Sequence, residues 1–245
     1  MEFNGGLLNS GLFNNGLFNN NNDDGIVVPP SIPKFELQVT GNSFGFIIQS
    51  GINPLITVDW GDGNTETFNT LDSHEHNYSA YGIYTVKLSG SFDSGGHLQL
   101  NHYAHKNKLY DVSKLPFING LVSCSSMFEN CENLQKIPTD LFRNNPQLNN
   151  FVACFSNCVA LNGTNVPADL FRYLQYDASF GSVFSNVAFS TQSYSDLLIS
   201  MNANMAQNYA YFDGGNSKYN TSAVVSRLNL TTVKGWTVID GGLEV

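Results

Sequence analysis

One patterned segment occurs twice in this chain and begins a third time. Met127-Phe128-Glu129-Asn130-Cys131 leads through Leu134 into Ile137-Pro138-Thr139-Asp140-Leu141-Phe142-Arg143, and Cys154-Phe155-Ser156-Asn157-Cys158 leads through Leu161 into Val166-Pro167-Ala168-Asp169-Leu170-Phe171-Arg172. A third start stands at Phe184-Ser185-Asn186, with spacings of 27 residues from Phe128 to Phe155 and 29 from Phe155 to Phe184. A fixed period in the range of about 20 to 50 residues marks stacked repeats. One such unit cannot bury its own apolar face, so Phe128, Cys131, Leu134, Phe155, Cys158, Leu161 and Phe184 are expected to form a repeat core, each packing on its equivalent in the next coil. With so few coils both ends need caps. A stack of this kind presents a surface for recognition rather than a pocket for chemistry.

The two phased blocks resemble the leucine-rich repeats of the BspA type, found in surface proteins of gut and oral bacteria and in proteins of their phages. The resemblance covers residues 107–192, and it implies a short α/β solenoid.

Composition narrows the class further. The chain has 245 residues, 42% hydrophobic and 13% aromatic, enough to bury one large or two small cores. Only 13% of residues are charged, about half the usual share. The 32 Asn outnumber the 20 acidic and 11 basic residues together, so the polar surface is mainly uncharged amide and hydroxyl. A net charge of −9 argues against nucleic acid or an anionic membrane as partner. No run of 18 or more apolar residues exists, so membrane insertion is not expected. Residues 1–6 lack the basic and apolar regions of a secretory signal. The expectation is that a signal was removed or that the protein leaves the cell by another way, such as assembly into a phage particle.

Residues 1–33 form a separate compositional unit. Gly6-Leu7-Leu8-Asn9-Ser10, Gly11-Leu12-Phe13-Asn14-Asn15 and Gly16-Leu17-Phe18-Asn19-Asn20 are three copies of a pentad, followed by a hinge carrying Pro29, Pro30 and Pro33. The plain reading is a disordered tail with a stiff linker. Adjacent large apolar residues in every pentad are unnecessary in a solvated tail, and they point instead to an anchoring arm. Leu7, Leu8, Leu12, Phe13, Leu17 and Phe18 would dock on a partner protein.

From residue 35 the pattern changes to short strands, at 35–40, 43–49, 56–60, 65–68 and 83–88, separated by turns containing Gly, Asn, Asp or Pro. That spacing suggests a small β-sandwich. Trp60-Gly61-Asp62-Gly63, then His76 and Tyr78, then Gly82 and Tyr84 resemble the PKD domain, an immunoglobulin-like module, with the family's W-x-F-G-D-G core shortened here to Trp60-Gly61-Asp62-Gly63. The resemblance implies a spacer or binding module and gives His76 a packing role.

Several groups invite a metal or catalytic reading. Asp59, Asp62, Asn64 and Glu66 lack the order of a calcium loop, and a turn in which Asp62 bonds its own backbone accounts for them better. His74, His76, His97, His102 and His105 fall close together, but spacing alone supplies no converging third ligand. Cys131 and Cys158 occupy one repeat position, while Cys124 and Cys154 stand where Phe151 and Met127 stand in the neighbouring coil. They read as buried thiols acting as small hydrophobes; a Cys131–Cys158 disulfide is the alternative, since stacking brings equivalents close. No nucleophile elbow, P-loop or paired acid and base is present. No catalytic residue, metal or cofactor is therefore assigned.

Near the carboxyl end, Tyr194, Leu197, Leu198 and Met201 mark a helix over 193–205, and a second helix is expected at 222–229 with Val224, Val225 and Leu228 inward. Gly235-Trp236-Thr237-Val238-Ile239-Asp240-Gly241-Gly242 follows. Residues 193–245 resemble the terminal module of BspA-like surface proteins and of structural or tail proteins of phages, which implies a cap containing Trp236. The expected organisation is a mainly β multidomain chain: an arm at 1–33, a PKD-like, Ig-like β-sandwich at 34–94, BspA-like leucine-rich repeats at 95–192 and a capping module at 193–245.

Two functions compete on this reading. The first is a non-enzymatic phage virion protein, a capsid decoration, head fibre or tail-associated protein, multimeric in the particle. Its arm would bind other virion proteins and its outer domains a host-surface glycan or protein. The second is a bacterial cell-surface adhesin or secreted interaction module.

Overall fold

Apolar and polar side chains alternate from Phe35 onward, and the backbone follows that period of two. Phe35, Leu37, Val39, Phe44, Phe46 and Ile48 are all buried along β1 (Phe35–Ile52). This computed structural model describes residues 34–102, 104, 105 and 107–245, and the six anchoring residues expected in the arm lie outside them. Strand makes up 35% and helix 14%, so the fold is mainly β.

The main sheet adds β2 (Leu55–Asp59), β3 (Thr65–Phe68), β4 (Ser73–Gln99), β5 (Leu109–Val112) and β6 (Asn119–Ser123). Its order is β3-β2-β4-β1-β5, with β6 on β4. The pairs β2–β3, β2–β4 and β1–β5 are antiparallel. β4 lies along β1 in opposite direction in two lengths: Phe35 faces Leu88 down to Ile47 facing Ser73, and then Ile48 faces Leu98 and Ile52 faces Ser94. The expected strands at 35–40 and 43–49 are thus one strand that changes partner segment midway, and β4 runs without a break through residue 94.

The pairing then changes sense. β6 joins β4 in parallel, Ser91 to Asn119 and His97 to Ser123. Parallel bridges continue from Ser123 to Asn150, from Asn150 to Ser179 and from Phe180 to Phe212. β7 (Tyr211–Asp213) closes the column by pairing in parallel with β8 (Thr237–Ile239).

Between β6 and β7 successive coils are bonded in register, each amide donating to the residue that precedes its equivalent in the next coil. The Phe128 amide donates to Cys154 O at 2.9 Å and the Phe155 amide to Val183 O at 2.9 Å. Ser126 and Ala153 donate in the same way to Val152 and Gly181, both at 2.8 Å. This pattern needs left-handed backbone at two places in each coil: φ is 53°, 56° and 54° at Ser126, Ala153 and Ser182, and 58°, 59° and 62° at Asn130, Asn157 and Asn186. Asn tolerates that region better than most residues. Here its side chain is used as well, because Asn157 Nδ2 donates to Asn130 Oδ1 at 3.0 Å and Asn186 Nδ2 to Asn157 Oδ1 at 2.7 Å.

Inside the ladder the phenylalanines stack in files. Phe128 and Phe155 have centroids 5.1 Å apart, and Phe155 and Phe184 5.6 Å, with near-parallel planes. Phe142 pairs with Phe171 and Phe151 with Phe180 in the same fashion. Cys131, Leu134, Cys158 and Leu161 are fully buried beside them.

The carboxyl end covers the last coil. α1 (Thr191–Asn204) buries Tyr194, Leu197, Leu198 and Met201, and the Lys234 ammonium binds the carbonyls of Asn202 and Met205 at its carboxyl end, where a cation complements the helix dipole. Trp236 is buried, stacks on Phe180 and donates Nε1–H to Gln207 O at 2.9 Å. Gly215 sits at φ +67°, where a Cβ would lie 2.2 Å from Phe184 O, so only glycine lets this loop close on the coil. The second helix differs from expectation. α2 (Val224–Leu228) leaves Val224, Val225 and Leu228 exposed, while Ala223 and Leu230 are buried. Only five residues are α-helical, and a π-turn over Asn229–Val233 follows at once, so the inward face cannot keep the phase of a longer helix.

Phe155→Ala is expected to cost about 3–5 kcal/mol in denaturant unfolding, because it empties the centre of a stacked file. Asn157→Gly should cost less than Asn157→Ala, since both lose the ladder bonds but only alanine resists positive φ; equal losses would show that backbone geometry at this rung is unimportant.

Candidate functional site

The residues singled out around Trp60 converge. Trp60 follows β2 and is wholly buried, its ring stacked on His76 at 4.9 Å, and its Nε1–H donates to Glu66 Oε2 at 2.6 Å. The Tyr78 hydroxyl donates to Trp60 O at 3.0 Å, and the Tyr78 and Tyr84 rings stack at 3.6 Å. Asp62 accepts from the Asn64 amide at 3.0 Å and from His76 Nε2 at 2.8 Å. Desolvation opposes ionisation of Asp62, but the bonds from His76 and Asn64 outweigh it and hold the carboxyl below its ordinary range. Gly61, at φ +83°, brings the turn against Thr85, whose carbonyl would stand 2.6 Å from an added Cβ. Gly63 shares this turn, and Gly82 lies opposite Gly41 in the β1–β4 register. The Trp60 indole, the Asp62 carboxylate, His76 Nε2 and the Tyr78 hydroxyl are all engaged within the cluster, so its role is to lock a turn onto the core.

The other histidines lie outside this hydrogen-bonded cluster. His74 packs against Phe46 and Phe68, and His97 Nε2 lies 2.7 Å from Ser125 O. His102 stacks on His105 at 4.8 Å. Among the described residues no group of three or more His, Cys, Asp or Glu is placed to hold a metal ion, and no helix is long and apolar enough to cross a membrane. All four cysteines are free and buried, and the alternative Cys131–Cys158 disulfide is not formed in this structure. Cys158 Sγ donates to Phe128 O at 3.0 Å, and burial raises each thiol well above its ordinary pKa. A thiol reagent should therefore find no reactive group in the native protein and four after unfolding without reductant; fewer than four would reveal a disulfide.

A cleft that the sequence did not announce opens where the sheet meets the first coils. It measures about 480 Å³ and gathers Thr40, Tyr81, Ile83, Asn107, Lys108, Tyr110, Asn133, Gln135 and Ala160 from five separate stretches of chain. Its frame is hydrogen-bonded: the Thr40 amide donates to Lys108 O at 2.8 Å, the Gln135 amide to Tyr110 O at 3.1 Å and Asn133 Nδ2 to Asn107 O at 2.6 Å. Lys108 Nζ turns away to Ser43 Oγ at 2.8 Å. Tyr81 is 77% exposed and Ile83 68%, although both lie in a strand.

Comparison of the chain with protein-family models, with curated proteins and with solved structures finds no match. What the geometry defines is a mainly β protein whose sheet continues into hydrogen-bonded coils, with an amide-lined and aromatic cleft at the junction.

His105 gives this region a pH dependence. Its ring is 1% exposed and packed near Phe44, and among the described residues its nearest polar partner is Glu75, whose Oε1 stands 3.2 Å from Nε2 without forming a well-aligned hydrogen bond. Desolvation first, then Lys108 and His102, lower its pKa to about 4 against the opposing pull of Glu75. An unfolded histidine takes up its proton near pH 6.5. The unfolded state therefore protonates first on acidification, and stability present at pH 7 is lost between about 6.5 and 4, on the order of 2–3 kcal/mol. Unfolding free energies measured across that window should show a shallower pH slope in His105→Phe than in wild type; identical slopes would remove His105 as the cause.

Proposed function

We propose that this chain is a non-enzymatic structural protein of a bacteriophage virion, acting as a capsid decoration, head fibre or tail-associated protein. Residues 1–33 anchor it to other virion proteins. The remainder is a PKD-like, Ig-like β-sandwich followed by a short BspA-type leucine-rich-repeat solenoid with a carboxyl-terminal cap, displayed on the particle surface to adhere to a host-surface glycan or protein.

The observation that carries this reading is the column of parallel pairing from β4 through residues 123, 150 and 179 to β8. Successive coils repeat one backbone conformation and expose their variable residues along one scaffold, an arrangement suited to recognition. The sandwich assignment is supported by the locked Trp60, Asp62, His76 and Tyr78 turn. Support for anchoring comes from the apolar pairs of the pentads in an otherwise Asn-rich arm. A surface poor in charge suits adhesion to neutral partners better than to polyanions.

Cryo-electron microscopy of the source particle tests the proposal. Density for this chain should place residues 5–20 against a capsid or tail protein, and a chain lacking residues 1–33 should sediment apart from particles. Recovery of the full chain only as free soluble protein would overturn the virion reading, and its recovery on a bacterial envelope would replace that reading with the surface adhesin.

A further inference from the structure

We infer that the cleft between β4 and the first coils binds a short neutral oligosaccharide. This inference rests on the adhesion reading and gives it a site and a ligand class. A sugar ring offers two kinds of surface at once, apolar C–H faces and a rim of hydroxyls that both donate and accept. The cleft offers the complement of both. Tyr81, Tyr110 and Ile83 supply apolar and aromatic surface, and Asn107, Asn133 and Gln135 supply carboxamides, each with donor and acceptor ends.

The lining also has unspent capacity. Among the described residues neither the Gln135 carboxamide nor the Tyr81 hydroxyl has a hydrogen-bond partner. Large side chains left so open on a strand gain nothing from the fold itself, and grouped exposure of this kind marks a contact site. By contrast Asn133 is fixed through Asn107 O, so its carbonyl end is held in a set direction for a ligand hydroxyl.

Charge selects the class. Lys108 is the one charged residue among the described lining residues, and its ammonium is committed to Ser43 Oγ. No described carboxylate lines the cleft, so a cationic ligand has no counterion there. A net charge of −9 disfavours anionic sugars at long range. A volume of about 480 Å³ falls within the range of small-ligand sites, roughly 300–1,000 Å³.

The test is an NMR titration of the isotope-labelled full chain with maltotriose, chitotriose and mannotriose, set beside sialyllactose and a heparin tetrasaccharide as acidic sugars. Saturable shifts at Tyr81, Ile83, Asn133 and Gln135 with a neutral sugar, and affinity lowered about tenfold by Tyr81→Ala and reduced by Gln135→Ala, would support the inference. Both residues are exposed, so unchanged amide spectra away from the cleft verify that the variants fold. Shifts confined to another surface, binding unaffected by both variants, or preference of the cleft for the acidic sugars would each overturn it, as would binding by none of the five sugars. Particle adsorption separates these failures from that of the parent reading. Particles carrying Tyr81→Ala that adsorb normally while particles lacking the chain do not would remove the cleft and leave adhesion standing, whereas normal adsorption without the chain would remove both.

Discussion

Backbone hydrogen bonds from each coil to the next are the constraint on which the rest of the structure depends. The amides of Phe128 and Phe155 can be satisfied only by the coil that follows each of them. A buried backbone donor without a partner costs on the order of 1–3 kcal/mol, so a coil exists only if the next one does. This forces both ends to be closed by something other than a further coil. At one end β6 takes its partner from β4, and at the other β7 takes β8. The phenylalanine files follow from the same register, because backbones held coil over coil bring identical side chains into line.

The sequence was most legible where it repeats. The phase of Phe128, Phe155 and Phe184 implies their mutual packing, and the same phase gives Cys131 and Cys158 an apolar role. Asn130, Asn157 and Asn186 were visible as a conserved letter of the internal motif, but their joint service as left-handed residues and as a side-chain ladder was not, since neither φ nor amide orientation is written in spacing. The turn at Trp60 was likewise readable from residue order.

Elsewhere tertiary pairing overrode local signals. Gly41 and Asn42 read as a turn between two strands, yet β1 passes through them because β4 lies alongside on both stretches. Val224, Val225 and Leu228 have helical spacing, but five residues of helix running into a π-turn do not hold one face inward. The cleft was illegible for a different reason. Thr40, Tyr81, Asn107, Asn133 and Ala160 lie far apart in the chain, and only the junction of sheet and coils brings them together. His105, in a turn, presented the same difficulty, its neighbour Glu75 being supplied by β4.

The column of parallel pairing has a consequence for how such a molecule can vary. A whole coil can be gained or lost without mispairing β6 or β7, whereas shorter changes, like the two residues by which the spacings of 27 and 29 differ, are taken up between the paired rungs and leave their number unchanged. Reach therefore changes in fixed increments set by the period. The cleft stands at the junction with the sheet, before the increments begin, so the number of coils and the lining of the cleft can evolve independently.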